Sequence, residues 1–157
     1  MAKVPCSRLI RKGRVTVPGQ IYLLTAVTDG RRRHFADFWL GCAASRALAL
    51  GAAWPNATLL AWVLMPDHLH VLAQCNGSES ISLSMGRAKA LISAGVRRAG
   101  EPARLWQPGF HDHALRTEES VRDAARYIVA NPLRAGLAQR IGDYPFWDSV
   151  WLEHSLE

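Results

Sequence analysis

The chain lacks the features that mark a membrane, secreted or thiolate-metal protein. Its longest nearly uncharged apolar run, Ala57 to Met65, falls far short of the roughly 20 residues a spanning helix needs, so no membrane segment is expected. Cysteines are few: Cys6, Cys42 and Cys75 are odd in number, widely separated and never spaced C-x-x-C. That argues against a disulfide framework or a thiolate zinc site. The opening MAKVPCSRLIRKGR has basic residues but no apolar stretch behind them, so it does not read as a secretory signal, and a cytoplasmic location is expected. Internal repeats and low-complexity blocks are missing. Acid is scarce: 13 Asp and Glu stand against 19 Lys and Arg, for a net charge of +6. The excess is almost wholly arginine, whose planar fork suits phosphate, so an anionic partner is expected over a merely solvated basic surface. With 157 residues and 49% hydrophobic content, a single domain over 1–157 is expected, with a basic segment at 1–20 and a tail at 137–157.

Between Gly and Pro punctuation the residues fall into short periodic segments. QIYLLTAVT, residues 20–28, is β-branched and aromatic enough for a strand that Asp29-Gly30 ends. Apolar residues from Phe35 to about Ala53 fit a helical stripe. Residues 58–64 and 69–74 have strand length and flank Met65-Pro66-Asp67, which reads as the turn of a hairpin. A second helix is expected from Ser80 to about Arg98, closing at Gly100. FHDHALR, residues 110–116, alternates as a strand does. Thr117 then suits the N-cap of a third helix reaching about Asn131, with Glu118 and Glu119 at its positive end. The order β-α-β-β-α-β-α points to an α+β sandwich of ferredoxin-like (split βαβ) type, one antiparallel sheet covered by helices.

Two histidine pairs stand out. Residues i and i+2 of a strand share a face, so His68 and His70 stand side by side, about 6–7 Å apart along the chain, while Leu69 enters the core. Neutral imidazoles so placed can converge on one cation. His111 and His113 show the same spacing, with Asp112 on the opposite face, and spacing does not choose between the pairs. In the third helix Val121, Ala125 and Ile128 form an apolar stripe, while Tyr127 and Asn131, four apart, project together. That pairs a hydroxyl nucleophile with a neutral oxygen ligand, against the plainer reading of a packed ring and a helix cap. Pro132 ends or kinks the helix at Asn131.

AWVLMPDHLHVLA, LWQPGFHDHALR, ARYIVANPLRAGL and the closing DYPFWDSVW, in that order, resemble the single-tyrosine HUH transposases, and among them the REP-associated tyrosine transposases. The resemblance implies that His68 and His70 are the HUH histidines, that Tyr127 on a C-terminal catalytic helix is the nucleophile, and that Asn131 is the third metal ligand. His111 has no such role. The closing segment departs from the family's usual W-S-S, reading Trp147-Asp148-Ser149. The implied activity is cleavage and rejoining of single-stranded DNA beside a hairpin or palindrome, through a 5′-phosphotyrosine. The implied cofactor is a divalent ion, Mg2+ or Mn2+, and the location nucleoid-associated when DNA is bound. A monomer is favoured, with a dimer sharing tyrosine helices as the alternative. Arg11, Arg14, Arg31, Arg32, Arg33, Arg122, Arg126 and Arg134 are candidates for DNA phosphates. Trp106, Trp147 and Trp151 fit base stacking or packing. Two rival readings are a non-catalytic nucleic-acid-binding module with the same sandwich, which would want stacking aromatics on its central strands, and a phosphodiesterase that activates water.

Overall fold

The computed structural model describes residues 17–77, 79–101, 104–116 and 118–151, without the side chains of 118 and 119. Arg11, Arg14 and the expected cap Thr117 lie outside the described residues.

Strand β1 (Ile21–Val27) leads through two short 3-10 turns into helix α1 (Phe38–Ala49). The helix starts three residues later than the apolar pattern implies, and it stops earlier. Asp37 is the reason at the start: its carboxylate accepts from the backbone N–H of Trp39 and Leu40 at 2.9 and 3.1 Å, satisfying donors that the first turn leaves open. Strands β2 (Ala57–Met65) and β3 (His68–Cys75) form the hairpin, with Met65 inside the ladder opposite His68, so the turn is only Pro66-Asp67. Helix α2 (Ile81–Arg98), capped by Ser80, and strand β4 (His111–Leu115) follow. Helix α3 (Glu118–Val129) is separated by Ala130 from a single helical turn, α4 (Asn131–Arg134). Asn131 therefore begins a new turn rather than ending the long helix, with Pro132 at the start, where its missing N–H costs nothing.

The sheet order is β4-β1-β3-β2, extended by a fifth strand, β5 (Trp147–Ser149), along β2. All neighbours are antiparallel, the split βαβ arrangement in α+β form. The strand β5 was not foreseen in the tail.

Alternation divides the sheet into two apolar layers. Leu24, Ala26, Trp62, Leu64, Leu69 and Val71 face α1 and α2 in the larger core. Those helices pack closely at Gly95, which lies against Ala43 and Ala47. On the opposite face Ala61, Val63, Met65 and Leu72 meet Val121, Ala125 and Ile128 of α3, the stripe read from the sequence. Phe146 docks the closing segment: its ring lies where a Cβ on Gly41 would be, 2.3 Å away. Tyr144 donates its hydroxyl to the Leu64 carbonyl, and Trp147 Nε1 donates to Ile141 at 2.9 Å.

Candidate active site

His68 and His70 lie on the sheet face that α3 covers, directly across from Met65 and Val63 of the layer beneath that helix. His68 and His70 open β3, with ring centroids 4.8 Å apart and planes at 80°. Each ring is held from behind. His68 Nδ1 donates to Asp67 Oδ1 at 2.7 Å, and His70 Nδ1 meets Thr25 Oγ1 at 2.9 Å, its direct partner across β1. With Nδ1 of His68 donating to Asp67, its Nε2 keeps a lone pair, an orientation typical of metal-binding imidazoles, while Thr25 holds the His70 ring in place.

Asn131 completes the group, its Nδ2 lying 3.2 Å from His68 Nε2. This contact requires a lone pair on Nε2, which agrees with the tautomer set by Asp67. Rotating the amide presents Oδ1 in its place. Among the described residues no three His, Cys, Asp or Glu side chains are placed to hold a metal ion, so this site would offer a cation two imidazoles and an amide oxygen. That neutral set fits a hard divalent ion that keeps waters.

Electrostatics set the charge state of the group. Burial, with the charges of His68 and Arg134, pushes the His70 pKa down to about 4, so the ring is neutral at physiological pH. Burial pushes the Asp67 carboxyl up, but the hydrogen bond and charge of His68, then Arg31, outweigh it and hold the carboxyl below its usual value. Arg31 Nη1 is 3.5 Å from Asp67 Oδ2. Arg31 has a φ of 51°, the one positive value outside glycine among the described residues, and this strained turn leans on the β2–β3 turn.

The three tyrosines separate by environment. Tyr22 is 6% exposed in the core. Tyr144 is half-buried and its pKa is pushed up to about 12 by burial, against a smaller opposing charge from Arg33. Tyr127 alone is open, at 63% exposure. The Arg134 guanidinium lies 3.9 Å from its ring centroid and donates to its carbonyl at 2.6 Å. The same arginine acts on His70 electrostatically, so one cation spans the tyrosine and the histidines.

The other expected residues divide. Arg32, Arg33 and Arg122 are exposed, and Arg126 makes only an exposed contact to Asp123 at 3.6 Å. His111 pairs with Thr25 and so shares the face of His70, but two strands away, roughly 10 Å; Asp112 points to the opposite face. Trp106 is buried and its Nε1 donates to Lys89, so packing accounts for it. The cation-site side of the central strands carries Leu23, Thr25, His70 and Leu72, not stacking aromatics. Asp67, Thr25 and the Arg134 contact with Tyr127 were missed in the sequence. Asp67 stood in the quoted motif, whereas Thr25 needed the strand register. Among the described residues no helix is long and apolar enough to cross a membrane.

Known proteins share the family and the fold. The profile of the family described as Transposase IS200 like matches residues 17–131. A REP-associated tyrosine transposase of Escherichia coli K12 is 30% identical over 89 residues, 55% of this chain and 50% of that protein. A Haemophilus influenzae protein grouped by name with the same transposases is 21% identical over 139 residues, 82% of this chain and 78% of that one. The match thus spans half the length of the Escherichia coli relative. A REP-associated tyrosine transposase solved with a REP hairpin shares the fold, with a TM-score of 0.66, 23% identity, and coverage of 85% of this chain and 79% of that one.

Proposed function

The chain belongs to the IS200-like transposases, and from that premise we propose that it cleaves and rejoins single-stranded DNA beside a hairpin, with Tyr127 as nucleophile. His68, His70 and Asn131 would hold the divalent ion, Mg2+ or Mn2+, of that reaction. The observation that carries the reading is the pair of anchored imidazoles with Asn131 against His68 Nε2, four residues beyond the open tyrosine.

The chemistry follows from this chain's own groups. The Tyr127 oxygen attacks the scissile phosphorus, the bond from phosphorus to the 3′-oxygen breaks, and the phenolic proton balances the one gained by the leaving 3′-hydroxyl. The product is a 5′-phosphotyrosine. A 3′-hydroxyl attacking that ester reverses the exchange and joins strands without another energy source. A free phenol has a pKa near 10, so orientation and nearby positive charge matter. Arg134 holds the tyrosine ring and places a cation beside the reacting phosphate. When bound, the metal ion neutralises charge that develops on the phosphate oxygens and the leaving oxygen. Asp67 and Thr25 fix the imidazoles so that they need not reorganise. Arg31, Arg32 and Arg33, exposed around the same turn, track the flanking backbone.

Incubation with a single-stranded hairpin oligonucleotide and Mn2+ is expected to give a covalent DNA–protein adduct that Tyr127→Phe abolishes. An adduct unchanged in that variant refutes the nucleophile. Strand cleavage retained without any adduct supports activated water instead.

A further inference from the structure

We propose that Thr28 is a positioning residue for the cation group: it ties the Arg31 turn to the Asp67 turn and thereby holds the Asp67 carboxylate against His68. The proposal rests on the reading of His68 as a metal ligand but concerns a residue buried behind the ligands. Thr28 has 0% exposure and stands one residue beyond the end of β1, where Val27 pairs with His68. It reaches both turns from there. Its backbone N–H donates to the Asp67 carbonyl at 3.0 Å, and its own carbonyl accepts from the Arg31 N–H at 3.0 Å. Its hydroxyl lies 2.8 Å from the Arg32 carbonyl and 3.0 Å from that of Asp67, so its single proton is shared between one carbonyl of each turn.

Every polar group of Thr28 is engaged in this one joint, and each partner bears on the site. Asp67 is the residue whose carboxylate meets His68 Nδ1 at 2.7 Å. Arg31 holds a φ of 51°, a conformation that is costly for a residue other than glycine and persists only where the surroundings impose it. The bonds from Thr28 to residues 31 and 32 impose it here. Other contacts do not replace the joint. The Arg31 guanidinium reaches Asp67 Oδ2 only at 3.5 Å and from a side chain 65% exposed, a weak pairing. The Phe35 N–H holds the neighbouring carbonyl, that of Pro66, at 3.1 Å. Phe35 therefore keeps the turn in the fold, whereas Thr28 sets where its second residue stands. A methyl group in place of the hydroxyl shows what the joint does. Carbon needs roughly 3.3–3.6 Å from a carbonyl oxygen, against the 2.8 and 3.0 Å found here. Both carbonyls must then retreat by roughly 0.3–0.8 Å, and the two turns part. A shift of that size is enough to spoil the short bond between Asp67 and His68. Because Arg31, Arg32 and Arg33 ride on the same turn, the joint also fixes their distance from the imidazoles.

The test compares the full parent chain with Thr28→Val and Thr28→Ser, each first shown to be folded by thermal unfolding. One readout is Mn2+ titration calorimetry without DNA. The other is the proton–nitrogen correlation spectrum of the imidazoles in the metal-free chain at mildly alkaline pH, with the His68 signal assigned by its loss in His68→Gln. Thr28→Val is expected to bind Mn2+ about threefold to tenfold more weakly, at or just below the range for direct partners of ligating histidines. Its His68 signal is expected to move from the Nδ1–H tautomer toward a mixture of the two. Thr28→Ser keeps the hydroxyl and is expected to restore both readouts. The parent's Mn2+ affinity, or the parent's His68 signal, in a folded Thr28→Val chain overturns the proposal. So does a Thr28→Ser chain as impaired as Thr28→Val, because the methyl and not the hydroxyl is then what matters. If the valine chain does not fold, Thr28→Ala removes the hydroxyl without pushing on either carbonyl and is held to the same two outcomes. A parent chain that binds no Mn2+ sinks the cation reading, while the imidazole spectra still decide whether Thr28 sets the Asp67–His68 contact.

Discussion

Replacing Asp67 by Asn is expected to weaken divalent-cation binding about tenfold while leaving the fold intact. Asp67 Oδ1 accepts from His68 Nδ1 at 2.7 Å, and this bond fixes the tautomer that leaves Nε2 for the metal. Asn keeps the size and an acceptor oxygen but loses the charge. A hydrogen bond to a charged group contributes about 1.5–3 kcal/mol and a neutral one about 0.5–1.5 kcal/mol, so the change removes about 1–1.5 kcal/mol. That corresponds to roughly a tenfold loss of affinity, at the lower end of what partners of ligating histidines contribute. The lost contact to Arg31, whose side chain is 65% exposed, adds little. Titration calorimetry with Mn2+ on both chains, with thermal unfolding of each, measures the effect. A folded Asp67→Asn chain that binds Mn2+ as tightly as the parent refutes the assigned role of Asp67, because the imidazole is then oriented by something else.

Arg134→Ala removes a ring contact and a charge-assisted hydrogen bond on Tyr127, together about 2 kcal/mol. Single-turnover adduct formation should slow by roughly thirtyfold with a smaller change in DNA affinity by anisotropy; equal losses in both mean that Arg134 only binds DNA. His70 ties stability to pH. The unfolded chain takes up a proton near pH 6.5, which the folded ring resists until about pH 4, so stability falls as pH drops through that window and levels off below it. At 1.36 kcal/mol per pH unit the loss is about 3 kcal/mol. Urea unfolding of the metal-free chain from pH 7 to 4 reads it, and a His70→Gln profile as steep as the parent's contradicts the assignment. Gly41→Ala sets about 1 kcal/mol of helix propensity against overpacking of about 1–3 kcal/mol, because the new Cβ meets the Phe146 ring at 2.3 Å. Net destabilisation is expected in thermal unfolding, and a gain of 1 kcal/mol would show that Phe146 moves aside freely.

Much of the fold was legible because its signals are local. Strand alternation set Leu69 in the core and His68 and His70 on one face, and the stripe of Val121, Ala125 and Ile128 gave the buried side of the tyrosine helix. Boundaries were poorer where a single side chain decides. Asp37 starts α1 late, and Pro132 opens a new turn instead of closing the old helix. The strand β5 escaped because only Trp147–Ser149 pair with β2, too short a run to show a period, and Pro145-Phe146 before it reads as loop. At the site, the histidines, Tyr127 and Asn131 were visible as residue types at meaningful spacings. Their supports were not, since Thr25 reaches His70 only through strand register and Arg134 reaches back over Tyr127 from the separate turn after Ala130. Register also separates the two histidine pairs, placing His111 on the right face but two strands too far.

The central claim is that His68, His70 and Asn131 hold a divalent ion that works together with Tyr127. Adduct yield on a single-stranded hairpin oligonucleotide, measured against Mn2+ concentration for the parent chain and for Asn131→Ala, tests it most directly. The expected result is no adduct in EDTA, a saturable rise with Mn2+, and a curve displaced to higher concentration in Asn131→Ala. Full adduct yield in EDTA, or identical curves for the two chains, would contradict it.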